Sequence, residues 1–428
     1  MRSKVRVCLG ILFLLAGSAK GQFLLFTPPG GPEGRPETVQ ERLEREISQA
    51  PHHLGPVRIA PLVGFRDVSY VRDLFSNGAK ARSDVTATVG AGFRAYLRTG
   101  PKVVWIAQAM PEYVWWNKRA DARRLNLSGG LETVLLLNRL TIDMAASRAE
   151  QQRIVTPELP ELVNSATDLG RLDSELQLTS QFRPFVSARW IHQEGLVDER
   201  QDDPAVERIA LLDRDEQVVR AGVRWYPRED WKIGLGVESS KVDFDRPALD
   251  SSNKGTSPLL ELSIDRPHLF VQADLVARSL TATEGSRFVD YDGITGSVSL
   301  SLVPRQRLEA WLYANRDVLY SLSPGYPYLQ DQRVGLSFGT GLGQRVILRI
   351  FGEIGDDEYT AFLPTVPERR DDLTAYGGSM RFVLTDLLGL TVQATRLELD
   401  SNLPGGDRSY TSGGMALTLR GNLLGRNL

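Results

Sequence analysis

The chain has 428 residues, with 51 basic and 53 acidic side chains and a formal net charge of -2. That balance argues against a polyanion such as nucleic acid as partner. The hydrophobic share of 42% is ordinary, and no run reaches the about 20 apolar residues that a membrane-spanning helix requires.

At the start, Arg2, Lys4 and Arg6 precede a short apolar core at 7–17, and Ala19-Lys20-Gly21 offers a cleavage site before Gln22. Residues 1–21 therefore read as an export signal peptide. The single cysteine, Cys8, lies inside that signal, ahead of the cleavage region and in the wrong place for a lipid acceptor. Residues 22–56 form a separate leader. Pro28, Pro29, Gly30, Gly31, Pro32, Gly34 and Pro36 make its first part flexible. A short helix is predicted over 37–48, where Val39, Leu43 and Ile47 recur every four residues as one narrow apolar stripe. It suits a leader lying in the periplasm or tucked into a barrel mouth. The sharper alternative is a plug, or a docking helix for a periplasmic partner.

From Val57 to Leu428 the pattern changes and stays uniform. Over 84–97 every odd position is apolar and nearly every even one is polar, small or charged. Successive side chains of a strand point to opposite faces, so such a segment has one apolar and one wet side. About eighteen segments of this kind follow one another, almost without helical periodicity between them. A sheet that long must close on itself to lose its edges. The fold class predicted is all-β, an outer-membrane β-barrel of transmembrane antiparallel strands, eighteen in number with sixteen as the alternative.

Connections support the count. Tight polar turns such as Arg98-Thr99-Gly100-Pro101, Gln181-Phe182-Arg183 and Pro304-Arg305-Gln306 alternate with longer connections such as 74–82, 154–165 and 195–205. Short turns belong on the periplasmic side and long loops outside. An even strand number puts both ends of the barrel on the short-turn side. An arginine or lysine on the lipid face at bilayer depth costs about 2–4 kcal/mol, so charged strand residues are expected to point inward. The candidate lumen residues are Arg58, Arg66, Arg94, Glu132, Asp143, Asp173, Glu175, Arg189, Arg220, Arg224, Lys232, Glu238, Asp274, Arg278, Arg349, Glu353, Arg381 and Arg420. Trp105, Trp115, Trp116, Trp225, Tyr226 and Trp231 sit near strand ends and are predicted to form interfacial girdles.

Enzymatic readings fare badly. His192 falls on the Val186, Ala188, Trp190 face, which suits packing at the lipid interface better than catalysis. No serine or aspartate sits in a nucleophile context with a histidine oriented by a third group. The neighbours His52 and His53 are weak as metal ligands. Two acidic runs, 198–203 and Asp356-Asp357-Glu358, are read as external loops. They are candidates for Ca²⁺ or lipopolysaccharide-bridging cations, with a solvated loop the simpler reading. No catalytic residue, metal or cofactor is assigned.

One segment carries a resemblance. Asp73-Leu74-Phe75-Ser76-Asn77, a polar loop, then Ser83 to Gly92, then Leu97-Arg98-Thr99-Gly100 resembles the start of a β-barrel porin family whose members are often encoded beside exopolysaccharide synthesis and export genes. It covers about 60 residues and supplies no catalytic residues. It implies an outer-membrane pore or assembly component for polysaccharide secretion. The implied partners are outer-membrane lipid and lipopolysaccharide, with polysaccharide and periplasmic export components beyond them. A general diffusion porin is the alternative, and its inward-folded constriction loop is expected at 154–165. A third reading is a structural barrel plugged by residues 23–55.

Overall fold

The computed structural model describes residues 39–72, 84–120, 123–153, 158, 163–196, 208–305, 308–343, 345–385 and 388–419. A helix, α1 (Val39–Gln49), opens this part of the chain. Nineteen strands follow: β1 (His52–Leu54), β2 (Val57–Arg72), β3 (Asp84–Arg98), β4 (Val103–Trp116), β5 (Arg124–Leu136), β6 (Leu140–Arg153), β7 (Val163–Leu176), β8 (Phe182–Gly195), β9 (Arg214–Arg228), β10 (Trp231–Phe244), β11 (Asn253–Arg266), β12 (Leu269–Ala282), β13 (Tyr291–Arg305), β14 (Leu308–Tyr320), β15 (Tyr328–Leu342), β16 (Val346–Thr360), β17 (Arg369–Val383), β18 (Leu388–Ser401) and β19 (Arg408–Leu419).

Each strand from β2 onward pairs antiparallel with the next, and β19 returns to pair with β2 from Gly64 upward. Among the described residues the ring therefore closes on eighteen strands, the number the alternation predicts. The three-residue β1 is extra. It doubles back through Gly55, whose φ of +59° suits the tight turn, and pairs with β2 along Val57–Ile59. Barrel strands run from 12 to 16 residues. About 9–11 residues suffice to cross a bilayer, so the strands overhang it. No described helix is long and apolar enough to cross a membrane.

Among the described residues the ring of β2 to β19 closes on itself, and period-two alternation then sorts the side chains. Val89 and Phe93 on β3, Leu127 and Leu131 on β5, Leu235 and Val237 on β10, and Ile350 and Ile354 on β16 all face out; Leu131 is 68% exposed. The intervening positions carry the buried polar groups, including Thr86, Thr88, Arg94, Glu132, Glu238 and Glu353. The turn before β8 lies earlier than the sequence suggests. The Thr179 hydroxyl accepts the backbone N–H groups of Gln181 (3.2 Å) and Phe182 (2.9 Å). That local turn ends before Phe182, so Phe182 and Arg183 belong to the strand. Asp356-Asp357-Glu358 is likewise strand and not loop, because β16 pairs with β15 and β17 through all three residues.

One close approach fixes part of the inner wall. Tyr313 pairs with Gly335, and its ring lies where a side chain would stand: a Cβ at Gly335 would come within 2.0 Å of the ring. Tyr313 is buried, and its hydroxyl donates to Glu353 Oε2 at 2.6 Å. Gly335→Ala is expected to overpack this site and cost about 1–3 kcal/mol. The measurement is the urea unfolding midpoint in detergent; an unchanged midpoint would contradict the geometry.

Candidate functional site: the lumen and its two mouths

The lumen wall carries ion pairs between strands one to three apart in the ring. Arg224 lies between Glu175 and Glu261, 2.8 Å from each, while Arg183 adds to Glu175 (3.1 Å) and Lys232 to Glu261 (3.6 Å). Glu238 lies between Arg220 (2.7 Å) and Arg278 (3.2 Å), which extend to Asp274 (2.9 Å) and Asp317 (3.3 Å). Arg349 meets Glu309 at 3.2 Å. Glu353 is held by Tyr313 and by Arg333 at 3.4 Å. Burying a carboxylate this deeply is tolerable only when it is paired or neutral. Arg189 stands opposite Arg171 in register on the same inward face, and its side chain is exposed.

At the short-turn mouth the lumen is occupied by α1. Leu43 (0% exposed), Ile47 and Ala50 pack on Tyr96, Val104, Ile106 and Val134, inward positions of β3, β4 and β5 beside the short turns. This apolar wall patch would be out of place in a wet lumen; the helix covers it. The 3.6-residue period explains the fit, since Val39, Leu43 and Ile47 share one face. Polar contacts fix the seat. Arg42 pairs with Glu132 and, at 3.3 Å, with Asp143; Arg171 reaches Asp143 at 2.8 Å and Asp173 at 3.2 Å. Arg94 bridges Glu46 of the helix (3.4 Å) and Glu132 (3.5 Å). Arg58 donates to the carbonyl of Ile47 at 3.2 Å. Burial alone would lower the pKa of Arg42, but Glu132, Asp143 and Glu46 outweigh it and the guanidinium is held more firmly protonated.

At the long-loop mouth the connections knit together. Glu158, between β6 and β7, accepts the Ser321 hydroxyl at 2.9 Å and the Leu322 backbone N–H. Arg369 at the start of β17 lies 3.6 Å from its carboxylate, and Arg408 at the start of β19 donates to its backbone carbonyl. Leu322 sits between β14 and β15, eight strands from β6 in a ring of eighteen, so this contact runs nearly across the mouth. Val163, Ile209, Leu212, Leu249 and Leu322, from four different connections or their edges, form one apolar cluster beside it. Arg287 ties the β12–β13 connection to the carbonyls of Ser323 (3.3 Å) and Pro324 (2.8 Å). Burial pushes the Glu158 carboxyl up, against the opposing pull of the Leu322 N–H, Ser321, Arg369 and Arg408. Burial likewise raises Asp213, to about 6, although it accepts the Gly195 N–H at 2.7 Å.

The proposed lumen residues Arg94, Glu132, Asp143, Asp173, Glu175, Arg220, Arg224, Lys232, Glu238, Asp274, Arg278, Arg349 and Glu353 thus meet in these networks, with Arg58 under the helix. Arg381 lies in register with Ile347 and Thr391 on the inward face of β17. The side chain of Arg66, and Arg420 altogether, fall outside the described residues. Two girdle assignments need correction. Trp116 shares the inward face of Glu112 and Val114 and is 0% exposed. Tyr226 shares the inward face of Arg224, with the Arg183 guanidinium 4.2 Å from its ring centroid. In both cases strand parity overrides position along the strand. Trp105 and Trp225 do face out. Trp115 and Trp231 lie on outward positions under Arg123 and Arg266. His192 stacks on Trp190 and meets Asp215 at 3.1 Å. The sequence reading missed Arg42, Arg171, Glu158, Arg333 and Arg369. Arg42 was legible only as a cation beside the helix's apolar stripe; the others needed the register.

Arg42→Ala is expected to leave Glu132 and Asp143 without their helix partner, at a cost of about 3–5 kcal/mol. The helix should then leave its seat. Limited proteolysis in detergent would detect this as new cleavage within 39–50; continued protection would contradict the assignment.

No family model and no curated protein matches this sequence. Solved structures do match by shape. OccAB3 of Acinetobacter baumannii aligns with a TM-score of 0.51 at 10% identity, covering 84% of this chain and 98% of that one. OccK9 (OpdG) of Pseudomonas aeruginosa aligns with a TM-score of 0.50 at 12% identity, with coverage of 84% and 98%. Both are outer-membrane β-barrels. At these identities the likeness shows the fold alone, and in fold this chain is an antiparallel β-barrel of the outer-membrane type.

Proposed function

We propose that this protein is a gated outer-membrane conduit, held closed by the contacts at its two mouths, whose cargo is a hydrophilic, hydroxyl-rich chain such as an exopolysaccharide. The observation that carries the reading is the seat of α1. A strand count of sixteen to eighteen leaves room for an aqueous channel, yet here an apolar patch of the wall and a set of buried carboxylates are used to hold a helix in it. A wide, unobstructed diffusion pore has no use for such a seat. A conduit that opens only with a periplasmic export partner does. The mixed lumen charges supply both donors and acceptors for sugar hydroxyls. The resemblance of the first hairpin to export-associated barrels supports the same cargo. The export signal at 1–21 fits delivery to the outer membrane.

A second reading is favoured by Glu158. The 154–165 connection was expected to fold inward if this were a diffusion porin, and Glu158 does reach the far side of the mouth. On that reading the cargo is a small polar solute and α1 is a narrowing element. Deletion of the gene separates the two, since loss of surface polysaccharide supports export and unchanged polysaccharide sinks it.

Planar-bilayer recordings test the gate itself. The full chain is expected to be nearly silent, and a form lacking residues 22–50 to conduct steadily; a large conductance in the full chain would overturn the closed reading. Acid should tighten the long-loop mouth. Glu158 and Asp213 have raised pKa values in the closed arrangement, so the closed form binds more protons than the open one. Closure is then strongest below the ordinary carboxylate range and weakens as pH rises through about 6, the value for Asp213. Open probability of the truncated form should be higher at pH 8 than at pH 5. Glu158→Ala should raise it at both pH values and shrink the difference.

A further inference from the structure

Near the long-loop end of the lumen wall, three aspartates stand side by side. Asp331 pairs with Asp357 across β15 and β16, and Asp357 pairs with Asp371 across β16 and β17. All three share the inward face and are buried. Directly opposed cross-strand residues have Cβ atoms roughly 5 Å apart, and like charges so placed repel. The outer two are compensated. Arg333 Nε donates to Asp331 at 2.6 Å. Arg369 donates to both oxygens of Asp371, at 3.1 and 2.6 Å, and the Ser401 hydroxyl adds a third contact.

The middle one is not compensated. Asp357 is 1% exposed, and both its carboxylate oxygens are sealed from solvent without a hydrogen-bond partner. The charged and titratable groups around it are Asp331 and Arg333 of β15, Glu353 and Tyr359 of β16 itself, Arg369 and Asp371 of β17, Glu158 from the β6–β7 connection and Arg408 at the start of β19. Five carboxylates there face three guanidiniums, and Arg333 and Arg369 already hold other acids. An ionised carboxylate is not sustained in such a place; it neutralises. A metal ion does not suit the geometry, since no three described His, Cys, Asp or Glu groups converge to hold one.

We propose that Asp357 is a further proton-binding residue of the long-loop mouth, beside Glu158 and Asp213, a neutral carboxylic acid while the mouth is closed and an anion once water reaches it. The inference rests on the closed-mouth reading and deepens it. Glu158 lies over the same wall through Arg369, so ionisation of Asp357 adds repulsion directly beneath the contact that holds the loop. The closed form keeps the proton that the open form loses, so closure is favoured at low pH and opposed as pH rises.

The test does not depend on conductance. Asp357→Asn is the neutral isostere of the protonated acid. In the full chain in detergent it should raise the urea midpoint at pH 8 and leave it unchanged at pH 5. Infrared spectroscopy of the wild type at pH 7 should show the carbonyl stretch of an unbonded carboxylic acid, absent in the variant. A lower midpoint for Asp357→Asn at pH 8, or no such band, would overturn the proposal. So would a wild-type midpoint raised by Ca²⁺ and lowered by EDTA with the variant indifferent to both, since a metal would then supply the missing charge. Should Asp357→Asn not fold, Asp331→Asn relieves the repulsion from one side and should shift loss of the band to lower pH; an unshifted band would count against the proposal. Normal results here with an open full-length channel would leave Asp357 protonated but the gating reading wrong.

Discussion

Everything in this structure depends on the closure of one hydrogen-bond ladder. In a bilayer there is no water to satisfy backbone N–H and C=O groups, so a sheet survives only as a ring without edges. The return of β19 to β2 provides that ring. Once it is closed, each strand residue has two possible directions, lipid or lumen, and period-two alternation assigns one to each. The apolar outer belt and the charged interior are consequences of the same closure. So is the inward placement of Trp116 and Tyr226, aromatics near strand ends that parity nevertheless sends inside.

A charged interior then has to be neutralised. The lumen does this locally, by pairing acids and arginines on strands one or two apart in the ring, as at Glu175–Arg224–Glu261 and Arg220–Glu238–Arg278. Such pairs add little to stability where water reaches them, but they are costly to break where it does not. Arg42 belongs to the second kind. It serves two wall acids from a helix that is not part of the barrel, which makes the wall's electrostatics depend on an occupant. The Asp331–Asp357–Asp371 row is the opposite case, a place where the ladder brings like charges together and the wall offers too few arginines.

Different contacts cross the two ends of the lumen. At the short-turn side a preformed amphipathic helix fills an apolar hollow. At the long-loop side several connections meet over a small apolar cluster, and one carboxylate reaches across. The first set rests mainly on apolar burial and three arginines, Arg42, Arg58 and Arg94, the second on groups that titrate.

Much of the barrel was legible from the chain. Alternation over 84–97 and the rhythm of short and long connections determined strand type, strand number and the inward direction of Arg94, Glu132 and Arg224, because a two-residue period and turn chemistry are local properties. The stripe of Val39, Leu43 and Ile47 likewise determined α1. Only the tertiary structure decided what the helix touches, that Glu158 crosses to Leu322, that Trp116 is buried, and that Asp357 lies between two other aspartates. Those facts depend on inter-strand register and on contacts between residues up to hundreds of positions apart. Neither is encoded in any local pattern, because both are set by how the whole ring closes.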